Sequence, residues 1–307
     1  MTNGKKFLEV SSLTMNEIIP INVKQNEPES LRLLAAMRFL YGRAKILRSF
    51  RVCITVILPI VSILSLNYFS NFKEGLAFAA AVWLVLNRVI FIEIEKRMVK
   101  DAAKIQENFD VDLFKISWNN LLVGEKIHSE RIRKLNEKSQ EKEGNLKDWY
   151  PGLKSSSDHF FNVLLAQKTS IIWDIELRKF YKWILYIILG LYIGIIFGIC
   201  FFMDFTTQTL IISFLVPSFP LILHLYETAI GHKQRHESLE KVLSKVTADV
   251  ENYSKTDDGI VNNTRGYQDI IFLARSNVNM IPDKIYWLKR NLYDKIAKET
   301  NEAHSDK

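Results

Sequence analysis

Residues 183–203, WILYIILGLYIGIIFGICFFM, carry no charged side chain from end to end. A helix rises about 1.5 Å per residue, so about twenty residues cover the roughly 30 Å hydrocarbon layer of a bilayer. A buried helix of a soluble protein seldom runs so long without a polar face. Three more runs resemble it. Residues 209–226, TLIISFLVPSFPLILHLY, follow after a short connection and are interrupted by Pro217, Pro220 and His224. Earlier in the chain stand residues 52–69, VCITVILPIVSILSLNYF, again uncharged, and residues 76–94, LAFAAAVWLVLNRVIFIEI, apolar except for Asn87, Arg88 and Glu93. These runs predict an all-α membrane protein with four spans, and the short connections at 70–75 and 204–208 fold them into two tight helical hairpins.

The whole-chain average hides this. Of 307 residues, 48% are hydrophobic and 24% charged, as in an ordinary soluble protein. The apolar residues are concentrated at 52–94 and 181–227 and the remainder is densely charged, so the chain faces two solvents. No cleavable signal is expected, because the first apolar run begins after about fifty polar and charged residues; the first span then serves as its own insertion signal.

Orientation follows from where the net charge of +7 sits. Arg38, Arg43, Lys45, Arg48 and Arg51 precede the first span, and Lys96, Arg97 and Lys100 follow the second. Arg178, Lys179 and Lys182 precede the third, and His232, Lys233 and Arg235 follow the fourth. The hairpin turns hold one lysine, Lys73, against Glu74 and Asp204. Basic flanks stay in the cytoplasm, which places both termini there. The chain then divides into a cytoplasmic N-terminal helical segment (1–51), a first hairpin (52–94), a cytoplasmic helical region (95–182), a second hairpin (183–227) and a cytoplasmic C-terminal helical segment (228–307). Two short outer turns are too little for a receptor or an enzyme, so sensing falls to the cytoplasmic part.

Within that part, apolar spacing predicts helices over 31–51, over 95–114 as an extension of the second span, over 125–142, over 158–181 leading into the third span, and over 236–253. A polar linker is expected at 254–265, and a last helix from Pro282 to about Glu299. Ile105, Phe109, Leu113 and Ile116 form an apolar stripe. Strand alternation is nearly absent, so a helical bundle is expected.

The sequence holds no Walker loop, HExxH, GxSxG or cysteine–histidine metal spacing. No catalytic residue and no metal ligand is assigned. His232 and His236, at i and i+4, read as a basic helix face, and Cys53 and Cys200, at opposite ends of their spans, lie beyond disulfide reach. Gly190, Gly194 and Gly198 repeat every fourth residue and form a flat stripe suited to close helix packing, within the subunit or between subunits. Asn87 and Arg88 stand inside the second span, where an arginine costs about 3 kcal/mol unless it meets protein, water or headgroups. They are candidates for a polar pathway, with Glu227 at the inner end of the fourth span as gate or ion-pair partner; anchoring by snorkelling is the plainer alternative. Pro217 and Pro220 are expected to bend the fourth span. Trp118, Trp149, Tyr150, Trp173 and Arg178 are of the types that hold bases and phosphates, but the sequence does not bring them to one place.

The run from Ala102 to Asp110, AAKIQENFD, with Leu113-Phe114 and Trp118-Asn119, resembles the SMODS-associating four-transmembrane effector family. So do Leu34-Ala35-Ala36-Met37-Arg38 with Tyr41, Ala44 and Lys45; Trp173-Asp174 with Leu177-Arg178; and Gln268-Asp269 with Arg275, Ile281-Pro282-Asp283 and Tyr286. The chain departs at Met37 and Ser117, where the family favours glutamine and proline. The resemblance implies an effector of a bacterial cyclic-oligonucleotide antiphage system (CBASS). Its activating ligand would be a cyclic nucleotide from a cognate nucleotidyltransferase, with no other cofactor and no nucleic-acid polymer as partner. Its expected action is inner-membrane disruption by pore formation, ending in cell death or arrest. Four helices leave no lumen, so a homo-oligomer is expected. A non-pore anchor that recruits a cytoplasmic partner is the alternative, and a small transporter is disfavoured by the uncharged first and third spans.

Overall fold

In the computed structural model, the described residues are 19–68, 72–202, 205–254, 259–277 and 279–304. The expected outer ends Phe69 and Met203, the turn residues Ser70, Asn71 and Asp204, part of the predicted linker (255–258) and the start of the first segment (1–18) lie outside them. Eleven α-helices are described: α1 (Ile21–Lys24), α2 (Pro28–Tyr68), α3 (Lys73–Leu86), α4 (Ile92–Phe114), α5 (Asn120–Val123), α6 (Ser129–Glu137), α7 (His159–Phe202), α8 (Thr207–Leu210), α9 (Val216–Glu251), α10 (Ile260–Arg275) and α11 (Asp283–His304). Among the described residues there is no strand. π-helical turns, Asn87–Phe91 and Ile211–Leu215, join α3 to α4 and α8 to α9.

Four helical stretches are long and apolar enough to cross a membrane: Pro28–Ser65, Lys73–Phe114, His159–Phe202 and Thr207–Glu251. Each continues far beyond the hydrocarbon into the charged part of the chain, so the boundaries 51/52, 94/95, 182/183 and 227/228 fall inside unbroken helical stretches. The two regions are held together differently. Phe78, Val89, Leu191 and Phe197 point outward from the spans, which is how apolar side chains meet lipid. Lipid tails are as apolar as leucine, so the spans associate through close packing and hydrogen bonds rather than through the hydrophobic effect. The fourth span is central and touches the other three; 39% of its most apolar window is buried, against 11% for the third.

Outside the spans an ordinary core forms. Leu34, Ile105, Phe109, Leu113, Leu164 and Val246 belong to one cluster contributed by α2, α4, α7 and α9, and burying each stabilises the bundle by about 1.5–3 kcal/mol. The predicted stripe of Ile105, Phe109, Leu113 and Ile116 is buried in it. The loop before α7 closes against α11 at Gly152, whose φ of 78° and near contact with the Lys298 backbone leave no room for a side chain.

Several boundaries differ from expectation. The charged helix expected over 125–142 is only Ser129–Glu137, because few apolar residues there can pay for ordering more. Residues 236–253 are not a separate helix: α9 runs unbroken from the fourth span to Glu251. The expected linker at 254–265 overlaps α10, which starts at Ile260; its Ile260, Tyr267 and Ile271 are buried, and that packing outweighs the polar residues between them. Helix α11 extends to His304, with Ala297 and Asn301 buried. At Pro217 the fourth span adjusts through the preceding π turn.

Candidate functional site

Asn87 and Arg88, adjacent in sequence, part company in the fold. Asn87 is buried and its Oδ1 accepts from Arg51 Nε at 2.6 Å; Arg51 is ion-paired with the buried Glu95. Arg88 points the other way and pairs with Glu227, and both side chains are about half exposed. The sequence-predicted partner is therefore the observed one, and the pair joins the second and fourth spans at the end nearest the helical bundle. The glycine stripe meets nothing among the described residues: none of their heavy atoms lies within 4 Å of a Cβ built on Gly190, Gly194 or Gly198. His232 Nδ1 lies 2.7 Å from Arg178 Nη1, and His236 Nε2 lies 3.1 Å from Lys182 Nζ. Among the described residues no three of His, Cys, Asp and Glu come together as a metal site would require.

The site that the sequence did not localise is a cavity of about 430 Å³ in the helical bundle, walled by α2, α7, α9, α10, α11 and the loop before α7. Trp149, Tyr150, Trp173 and Arg178 line it; Trp118 does not, donating instead to the Gly124 carbonyl at 2.9 Å. At the end nearest the spans, Asp174 accepts from Arg178 Nε at 2.9 Å and from Arg235 Nε at 2.7 Å. One carboxylate thus serves two guanidiniums. Burial alone would raise the Asp174 carboxyl, but Arg178 and Arg235 more than offset it and hold it well below the usual carboxylate range. Burial, reinforced by Arg178, pushes Arg235 down to about 10. Arg178 also donates to the Asn279 carbonyl at 2.7 Å.

Aromatic rings form the opposite wall. The Arg38 guanidinium lies 5.5 Å from the Trp149 ring centroid and 5.6 Å from that of Trp287, with Glu141 3.2 Å away. Trp173 packs on Tyr286 and Tyr293, centroids 5.1 and 5.6 Å apart. Arg290, paired with Asp294, lies 4.8 Å from the Trp287 centroid. Trp287 and Arg290, one turn apart on α11, carried no sequence signal.

A buried polar network supports the floor, and it is built from the family-type residues. Asp110 accepts from Tyr150 Oη at 2.7 Å and Gln268 Nε2 at 2.9 Å, and it pairs with Arg275. Glu107 accepts from Arg265 at 2.7 Å and Gln268 at 2.8 Å. Burial, helped by Asp110, raises the Glu107 carboxyl. Burial and the nearby Asp110 carboxylate likewise keep the Tyr150 hydroxyl protonated. These groups fix α10 against α4 and present Arg275 to the cavity.

Four helices long and apolar enough to cross a membrane, each continuous with a helical bundle that holds a cavity of cations and aromatic rings, define a multi-pass membrane protein. The SMODS-associating 4TM effector domain model matches residues 19–304, and the chain belongs to that family. It is 34% identical, over 91% of its length and 96% of the relative's, to a probable CBASS effector molecule of Bacillus cereus (strain VD146). No solved structure matches the chain.

Proposed function

We propose that the protein is a CBASS effector whose bundle cavity binds a cyclic oligonucleotide made on phage infection, and that binding drives permeabilisation of the inner membrane and cell death or arrest. The observation that carries this is the cavity. Its volume falls in the range of about 300–1,000 Å³ usual for ligand pockets. The Arg178–Arg235 pair suits a phosphate, because a guanidinium recognises phosphate oxygens bidentately. Trp149, Trp173, Tyr286 and Trp287 supply faces on which bases stack. A phosphodiester arriving at Arg178 and Arg235 competes with Asp174 for both.

The mechanics follow from continuity. Asp174 and Arg178 sit on α7, which becomes the third span, and Arg235 sits on α9, which carries the fourth. A ligand that separates Asp174 from Arg235 therefore acts on two rigid rods at once. Arg88 and Glu227 act as a clasp between the second and fourth spans near the cytoplasmic face, in the orientation the basic flanks dictate. The open glycine stripe offers a face for a second copy, so assembly accompanies activation.

The test is purified protein in liposomes loaded with potassium and a fluorescent dye, challenged with cyclic di-AMP, cyclic di-GMP, cyclic GMP–AMP and cyclic tri-AMP. Release triggered by one of these, and lost in Arg178→Ala, is expected. Binding without any release would replace the permeabilising reading with that of a membrane anchor recruiting a cytoplasmic partner.

A further inference from the structure

Hydrocarbon supplies no hydrogen-bond partners, so polar groups among the spans must be served by the protein itself. Those groups form a seam along the first and fourth spans, with one bond between the two and further bonds from the second and third. Thr55, Ser62 and Ser65 share one face of α2 and are buried, and Ser213 and Ser218 of the fourth span are fully buried. Ser62 Oγ donates to the Ser213 carbonyl at 2.9 Å, and Ser65 Oγ to the Ser62 carbonyl at 2.7 Å. Tyr192 Oη donates to Ser218 Oγ at 2.7 Å, and Trp83 Nε1 to Thr55 Oγ1 at 3.0 Å. Toward the bundle the seam meets Arg51, Asn87 and Glu95. From Arg51 to Ser65 the helix climbs about 21 Å, roughly two thirds of the hydrocarbon thickness.

The prolines belong to the same seam. A proline has no N–H for the carbonyl four residues before it, and its ring crowds that carbonyl. Pro59 stands four residues after Thr55, and Pro217 four after Ser213. The π turn Ile211–Leu215 is the local response to Pro217, and the Ser62 hydroxyl serves the carbonyl that Pro217 leaves. Even so, Ser213 Oγ is fully buried and has no hydrogen-bond partner among the described residues. Close packing explains small side chains here. It does not explain an unpartnered hydroxyl where alanine would fit, beside backbone oxygens that prolines release on the same seam.

We propose that this seam lines the permeation path, closed in this conformation by its own hydrogen bonds and opened when the fourth span moves off the first. The proposal rests on the permeabilising reading above. From Thr55 to Ser65 its lining is hydroxyl and carbonyl oxygen, with Trp83 Nε1 turned to Thr55, and Arg51 at the bundle end is paired with Glu95; such oxygens can replace part of a cation's hydration shell, so the path takes water and small monovalent cations. The fourth span is the mover, because α9 carries both Ser218 and the cavity residue Arg235.

The experiment uses the full chain in potassium-loaded liposomes and the same four cyclic nucleotides. Ser62→Val and Ser213→Val should cut triggered potassium flux at least about tenfold, with nucleotide-induced thermal shifts unchanged. Ser213→Thr and the outward-facing Leu191→Val should conduct like wild type. A valine variant that misfolds would also fail to conduct. Ser62→Cys and Ser213→Cys are therefore placed in a Cys53→Ala, Cys200→Ala background and exposed to a cationic methanethiosulfonate reagent; labelling is expected only after nucleotide is added. If wild type conducts while the cysteines stay inert and the valine variants conduct normally, the seam is packing and the path lies elsewhere. Chloride flux exceeding potassium flux overturns the cation assignment. A wild type that conducts with none of the nucleotides overturns the permeabilising function, and the seam proposal with it.

Discussion

Replacing Asp174 by asparagine keeps the side-chain shape and removes the one carboxylate that Arg178 and Arg235 share. Taking one partner from a buried ion pair costs about 3–5 kcal/mol, because the remaining charge stays desolvated. Here two guanidiniums are left facing each other. The Asp174 side chain keeps 23% of its exposure, and Arg178 retains its bonds to His232 and the Asn279 carbonyl, so the low end, about 3 kcal/mol, applies. At about 2–4 °C per kcal/mol for a chain of this size, the melting temperature should fall by roughly 6–12 °C. The same change removes the acid that competes with a phosphate. Affinity for whichever cyclic nucleotide the wild type binds should therefore rise about five- to tenfold, a gain of roughly 1–1.4 kcal/mol. Both effects are measured on one sample: melting by differential scanning fluorimetry, and binding by the intrinsic fluorescence of Trp149, Trp173 and Trp287 in the cavity wall. Destabilisation with tighter binding is the signature of a phosphate subsite held closed by its own acid. Destabilisation with weaker binding would make Asp174 a structural residue only, and a melting temperature within about 1 °C of wild type would refute the buried-pair argument altogether.

His232 gives a pH limb of defined sign. Burial, then Arg178, Arg48 and Arg235, push its ring down to about 2, with Asp174 opposing. The unfolded ring takes up a proton below about 6.5 and the folded one does not, so stability is complete above pH 6.5 and falls below it by up to about 1.4 kcal/mol per unit. His232→Gln should flatten that limb in pH-dependent melting. Arg88→Leu or Glu227→Gln should leave insertion intact but raise dye release before any nucleotide is added; release like wild type would mark Arg88 as an anchor. Gly194→Leu should leave monomer melting unchanged, since nothing among the described residues meets it, yet reduce crosslinked oligomer on activation far more than Ile193→Leu. Reporter fusions after Phe72 and Phe205 should read outside, and fusions at Ser139 and the C-terminus inside.

The spans were legible because lipid imposes a one-dimensional rule: a helix crossing it must be about twenty residues long and nearly free of charge, wherever it packs. The Arg88–Glu227 pair was legible for a related reason, since few charges stand within the spans and each seeks a partner. The cavity obeys no such rule. Its walls come from segments as distant as Arg38, Trp149, Arg235 and Trp287, and their meeting depends on how α10 and α11 fold back. Polar residues disguised α10, although its buried Tyr267, Gln268 and Ile271 recur at helical spacing. The family-type residues Glu107, Asp110, Gln268 and Arg275 marked the polar floor without showing that they touch.

The prolines are a different kind of miss. Read as bends, Pro217 and Pro220 suggest only a shape. Counting four residues back identifies the carbonyl each one abandons, and in a membrane an abandoned carbonyl is served by a neighbouring helix, a nearby hydroxyl or a local change of helix geometry. Ser62 is the donor for Ser213, 151 residues away. The partner could not be read from sequence, but the demand for one could. On the permeation path proposed above, the same demand bears on how the seam would open. The Ser62–Ser213, Trp83–Thr55 and Tyr192–Ser218 bonds cross between separate helices, whereas the Ser65–Ser62 bond lies within the first span. Of these, moving the fourth span off the first would break only Ser62–Ser213, and water entering the opened seam would replace it.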